Sequence, residues 1–191
     1  SRPKGFEKYV TKKVGVLGAG MMGAGIAYVS AISGMEVVLK DVSVEAAEKG
    51  KAYSEGLLKK RVSKGKMTKD KMEEVLSKIK ATDSAADMVG CDLIIEAVFE
   101  DRALKAKVTQ EVESVMLAEG TFASNTSTLP ITGLAQASAR PKQFIGLHFF
   151  SPVDKMPLVE IICGAETDDA TLAKAFDYVL QIKKTPIVVN D

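Results

Sequence analysis

Little in this chain marks it for export, for a membrane or for nucleic acid. Cysteine is scarce: Cys91 and Cys163 are the only two, they lie in apolar surroundings, and they lack CxxC spacing. That excludes a disulfide framework and the common redox motif. Two reduced, buried thiols suit a reducing compartment, the bacterial cytoplasm or, in a eukaryote, the mitochondrial matrix. Long apolar runs are missing too. The most apolar stretch, residues 93–98, contains Glu96 and is too short to span a bilayer. Residues 1–13 carry Arg2, Lys4, Glu7, Lys8, Lys12 and Lys13 and have no apolar signal core. Charge of one sign is absent: 26 Lys and Arg face 25 Asp and Glu, a net +1, so no bulk attraction to nucleic acid is implied. Histidine is reduced to a single residue, His148.

What is present is a globular chain of 191 residues, 46% hydrophobic, long enough for one well-filled core. Short apolar runs alternate with helical patterns. Strands are predicted over residues 14–17, 36–40, 92–98, 121–124, 144–150, 158–162 and 186–189. Helices are predicted over 21–33, from Ser43 to about 62, from about Thr68 through the stripe Met72, Val75, Leu76 and Ile79, along Leu104, Val108, Val112 and Val115, over 131–137, and after a cap at Thr167. Such alternation predicts an α/β fold, a Rossmann-like doubly wound and mainly parallel sheet. Residues 43–80 read as an inserted helical hairpin projecting from it. The chain opens on Ser1 rather than Met, so we expect either a piece of a longer polypeptide or a trimmed tag, with residues 1–12 a linker remnant and 13–191 the domain.

The first strand runs into Gly18-Ala19-Gly20-Met21-Met22-Gly23. This GxGxxG, between strand and helix, reads either as an ordinary glycine-rich turn or as a dinucleotide-binding one: Gly18 for the tight turn, Gly20 for approach of the pyrophosphate, Gly23 for close helix packing. The helix N-terminus adds free N–H groups and positive charge. Asp41 ends the second strand, 23 residues after Gly18. A carboxylate there accepts from both ribose hydroxyls and repels a 2′-phosphate, favouring NAD over NADP.

His148, among apolar residues, reads either as a satisfied core histidine or as a catalyst, for it stands at the carboxyl end of a predicted strand, the edge where open α/β sheets bind ligands. Glu160 is embedded in the apolar run Leu158-Val159-Glu160-Ile161-Ile162, where a carboxylate needs a partner. His148 is the natural one. The polar run Ser124-Asn125-Thr126-Ser127-Thr128 follows another strand and reads either as helix capping or as a grip on substrate oxygen.

GAGMMGAGIA, EAVFED, SNTSTLPI and HFFSPVDKMPLVEII closely resemble the NAD-binding domain of L-3-hydroxyacyl-CoA dehydrogenases, in the form found in alpha subunits of multifunctional fatty-acid oxidation complexes. The resemblance implies His148 as general base, Glu160 as its orienting partner and Ser127 at the substrate oxygen. It implies Met21, Met22, Asp41, Val98, Glu100, Lys105 and Ser127 as dinucleotide contacts, alongside the glycines. Ser151 stands where the family often has Asn and is expected near both cofactor and substrate. Ser54, Lys60 and Arg61 are expected substrate contacts, and the cluster Lys59, Lys60, Arg61, Lys64 and Lys66 reads either as a solvated helix face or as an attractor of CoA phosphates. The resemblance further implies an acyl-CoA substrate, a helical domain beyond Asp191, a fused enoyl-CoA hydratase domain before Ser1, and a dimer or larger complex. Two other readings stand beside it: another hydroxyacid dehydrogenase with the same turn, and a dinucleotide-binding module without turnover.

Overall fold

The computed structural model describes residues 1–191. One eight-stranded sheet forms its centre: β1 (Lys13–Leu17), β2 (Glu36–Lys40), β3 (Ile79–Thr82), β4 (Leu93–Glu96), β5 (Thr121–Ser124), β6 (Phe144–Phe149), β7 (Leu158–Cys163) and β8 (Thr185–Asn190). Their spatial order is β3-β2-β1-β4-β5-β6-β7-β8. Every neighbouring pair is parallel except β6 and β7. The strand order reverses at β1, and a crevice opens beside the carboxyl ends of β1 and β4, the topological switch point.

Alternation along the strands gives the sheet two buried faces. Val14, Val16, Leu39 and Ile95 point to one side, with Ile26 of α1 (Met21–Ile32), Leu58 of α2 (Val44–Ser63), Val75 of α3 (Lys69–Ser77) and Tyr178 of α6 (Asp169–Gln181). Leu17, Val38 and Ile94 point to the other, with Val112 of α4 (Arg102–Glu113) and Ile131 of α5 (Ile131–Leu134). Strands covered on both faces are apolar almost throughout, which is why they were legible.

Four expectations shift. The α2–α3 hairpin lies between β2 and β3 and does not project freely, because Ala47 and Leu58 of α2 are fully buried. Ile79 fits the helical spacing of α3 but opens β3, pairing with Val37. On α4 the buried face is Lys105, Thr109 and Val112, so Leu104 and Val108 are only half-buried. Asp168, not Thr167, caps α6 by accepting from the Thr171 amide. The Thr167 hydroxyl instead donates to the Phe144 carbonyl at 2.8 Å.

Residues 1–12 are irregular but fastened. Arg2 donates to both oxygens of Asp177 at 2.7 and 2.9 Å, and the Tyr9 amide joins the same carboxylate at 2.9 Å. The Tyr9 hydroxyl donates to Asp92 at 2.9 Å. Burial pushes the Asp177 carboxyl up, yet Arg2 and the Tyr9 N–H outweigh it and hold the group below the usual range.

Candidate active site

β1 delivers Gly18 into the crevice with φ +98°, and a Cβ there would lie 2.8 Å from the Ala97 carbonyl oxygen. Only glycine accepts both conditions. Gly23 lies beneath the turn, where a Cβ would come within 1.7 Å of the Gly18 oxygen, so α1 can approach β1 only without one. Gly20 caps α1, with no side-chain cap and no acid in the first turn. Nothing lies within 4 Å of the position its Cβ would take. Free amides facing open space make an anion cradle.

Asp41 borders the same space. Its Oδ2 accepts from the Ala19 amide at 2.7 Å and its Oδ1 from the Val42 amide at 2.6 Å. A carboxylate has about four acceptor positions, so the turn is braced and lone pairs remain for ribose hydroxyls. The cleft, about 710 Å³, is lined by Gly18, Gly20, Met21, Met22, Asp41, Val42, Val98, Phe99 and Glu100 on this side. Met21, Val42 and Phe99 present exposed apolar surface suited to flat rings. These features fit NAD: a cradle for its phosphates, an acid for its ribose and apolar walls for its bases.

The same cleft is also lined by Asn125, Ser127, His148, Phe149, Phe150 and Ser151. His148 is on β6 and Glu160 faces it in register on antiparallel β7. His148 Nδ1 is 2.9 Å from Glu160 Oε1, and the imidazole is 19% exposed. An ionised carboxylate only accepts, so Nδ1 carries the proton and Nε2 keeps its lone pair. The Phe150 ring leans on the imidazole with centroids 4.6 Å apart.

The 125–128 loop is held from below. Glu100 accepts from the Thr126 and Thr128 hydroxyls at 2.7 and 2.8 Å and from the Ser127 amide at 3.2 Å. Burial pushes the Glu100 carboxyl up, but these donors and Lys105 pull it down to about 2. Lys105, 2% exposed, reaches Glu100 at 3.1 Å and the 1%-exposed Glu96 at 2.6 Å. It therefore lies under the cleft floor rather than on it, and its ammonium is taken by two carboxylates and the Val98 carbonyl. Glu96 also accepts from the Ser124 hydroxyl at 2.6 Å.

Sequence reading assigned no role to Glu96 or Asn125. Asn125 Oδ1 accepts from the Phe149 amide at 2.8 Å, binding the Ser127 loop to the strand that carries His148. Its one signal was its place directly after β5. Ser127 is exposed at the cleft, and Ser151 Oγ lies 3.5 Å from Met21 Sδ.

The three hairpin residues expected at substrate lie outside the lining of this cleft. Ser54 is fully buried with an unpartnered Oγ, which corrects its expected contact. Arg61 is half-buried with its Nε enclosed. Lys60 is exposed, but none of the three lines the cleft.

Comparison with known proteins agrees with this geometry. The family described as "3-hydroxyacyl-CoA dehydrogenase, NAD binding domain" matches residues 13–191. The fatty acid oxidation complex subunit alpha of Idiomarina loihiensis is 45% identical, covering 100% of this chain and 27% of the relative. The subunit alpha of Pseudomonas putida is also 45% identical, over 94% of this chain and 25% of the relative. The chain thus spans about a quarter of the length of these curated relatives. Among solved structures, (S)-3-hydroxybutyryl-CoA dehydrogenase from Ralstonia eutropha superposes with a TM-score of 0.91 at 38% identity, over 95% of this chain and 64% of that one. The dehydrogenase part of multifunctional enzyme 1 from C. elegans gives 0.83 at 30% identity, over 96% and 42%. The glycine turn, the acid after β2 and the histidine–glutamate pair thus occur in a chain that belongs to the NAD-binding-domain family of the 3-hydroxyacyl-CoA dehydrogenases.

Proposed function

We propose that this chain carries the hydride-transfer site of an L-3-hydroxyacyl-CoA dehydrogenase that oxidises its substrate to the 3-ketoacyl-CoA. The observation that carries the reading is the 2.9 Å His148–Glu160 contact at the same cleft as the glycine turn. NAD, when bound, supplies the hydride acceptor. The free Nε2 of His148 takes the hydroxyl proton, and the Glu160 carboxylate stabilises the imidazolium that forms. The Ser127 hydroxyl donates to the substrate oxygen, on a loop fixed by Glu100 and Asn125.

Acyl-CoA is the proposed substrate, with Lys59, Lys60, Lys64 and Lys66, all exposed on or beside the hairpin, attracting the CoA phosphates. A helical domain after residue 191 completes the acyl pocket. Exposed Leu158 and Ile187 of β7 and β8 suit its docking. A hydratase domain before residue 1, a dimeric or larger assembly and a reducing compartment belong to the same proposal. Burial drives the Cys91 thiol up to about 12, in keeping with an inert, reduced cysteine.

Purified full-length parent should oxidise NADH with acetoacetyl-CoA and not with short ketoacids. Residues 1–191 alone should bind NADH with little turnover. Turnover of short ketoacids in preference to acetoacetyl-CoA would overturn the reading.

A further inference from the structure

The connection between β6 and β7 decides whether Glu160 faces His148, and it is closed by a group the proposed mechanism does not use. Lys184, in the corner between α6 and β8, is 9% exposed. Its ammonium donates to the Val153 carbonyl at 2.6 Å and to the Met156 carbonyl. No carboxylate pairs with it within ion-pair distance. A buried cation held by carbonyls alone is costly to place. Burial accordingly depresses Lys184, with nearby Asp154 partly offsetting.

The same loop is tied at two further points. Asp154 accepts from the Tyr53 hydroxyl of α2 at 2.8 Å. Val153, 3% exposed, presses on α1 at Gly25, where a Cβ would come within 2.7 Å of it. The next residue after Lys184 continues the fastening, since the Thr185 amide donates to the Pro157 carbonyl at 2.7 Å. β7 begins one residue later, and its third residue is Glu160.

We propose that Lys184 is a positioning residue: by closing the 153–156 loop it keeps β6 and β7 in register, so that Glu160 holds the His148 imidazole in its catalytic tautomer. Its catalytic consequence rests on the dehydrogenase reading above, but its structural effect does not. Because His148 is the only histidine, its ring nitrogens are observable without assignment. In alkaline buffer, where an imidazole is neutral, the ¹⁵N spectrum of the 191-residue chain should show Nδ1 protonated and Nε2 bare. Lys184→Met keeps the stem, removes the charge and leaves the Val153 and Met156 carbonyls without that donor. It should leave NADH affinity within about twofold, as expected for a site the loop does not line. It should also move the imidazole toward a tautomer mixture. In the full-length parent, kcat should fall on the order of 10–10²-fold with KM little changed, the size of effect that slight misplacement produces. An unchanged ¹⁵N spectrum with native kcat would overturn the proposal. Should Lys184→Met not fold, Tyr53→Phe loosens the same loop from α2 and should shift the tautomer in the same direction. No shift there would count equally against it. A tautomer shift in a parent without dehydrogenase activity would uphold the positioning role and reject the function.

Discussion

A neutral imidazole acts as a base through its bare nitrogen, and engaging the other nitrogen fixes which one that is. Here the engagement comes from a carboxylate twelve residues away in sequence and directly opposite in register. Both residues were legible because each was anomalous: a lone histidine at a strand end, and an acid in an apolar run. Asp41 and the glycines were legible from spacing. Glu96 and Lys105 were not. A charged residue in a sequence carries no mark of being inside or outside, and their 2.6 Å pairing spans a strand, a turn and a helix. The expectation that Lys105 meets the cofactor gives way to one step of remove: it holds Glu100, and Glu100 holds the Ser127 loop. Ser127 itself makes the testable contact. On the proposed reading Ser127→Ala removes one hydrogen bond to substrate oxygen, and kcat/KM in the full-length parent should drop about 3–10-fold, equivalent to roughly 1 kcal/mol. Unchanged steady-state kinetics would remove Ser127 from the reaction.

At the scale of elements, the pattern located nearly every strand and helix and a mainly parallel sheet, but not its one antiparallel pairing. The antiparallel turn between β6 and β7 creates the His148–Glu160 pair, and nothing in the 158–162 pattern distinguishes parallel from antiparallel. Ile79 shows the complementary failure: one β-branched residue satisfied both the helical spacing and the start of a short edge strand, and pairing with β2 decided it. The loop after β5 has a pH signature. Glu100 is held at about 2 in the folded chain, below its ordinary value of about 4.3. A depressed folded pKa stabilises fully above the unfolded value and loses that contribution as pH falls. Stability should therefore decline as pH drops from about 5 toward 2, where the folded carboxyl titrates. Glu100→Gln should flatten that limb, seen as urea midpoints that change less between neutral and acid pH. The carboxyl is 38% exposed, so solvent screening keeps the effect modest. An acid limb as steep in Glu100→Gln as in the parent chain would contradict this.

The whole molecule is a switch-point cleft with charge arranged around it. A net charge of +1 conceals the basic face of the α2–α3 hairpin, where Lys59, Lys60, Lys64 and Lys66 are exposed while Arg61 turns inward. If that face attracts CoA phosphates, Lys59→Glu with Lys60→Glu in the full-length parent should raise KM for acetoacetyl-CoA several-fold at low salt. Added salt should erase the difference, since exposed charges are screened beyond about 10 Å at 0.1 M. KM that ignores both charge and salt would make the face merely solvated. The N-terminal strap also belongs to this scale. Residues 1–12 read as a connection, yet Arg2, Tyr9 and Asp177 bind them to α6. Only long-range partners reveal that.

On the proposed reading His148, aimed by Glu160, is the base beside the dinucleotide. The most direct measurement is NADH oxidation by acetoacetyl-CoA in the full-length parent carrying His148→Gln, with NADH affinity determined on the same protein. NADH should bind as in the wild type, while kcat falls about 10²–10⁴-fold, the contribution of a positioned acid–base group. Near-native turnover with native NADH binding would contradict the account.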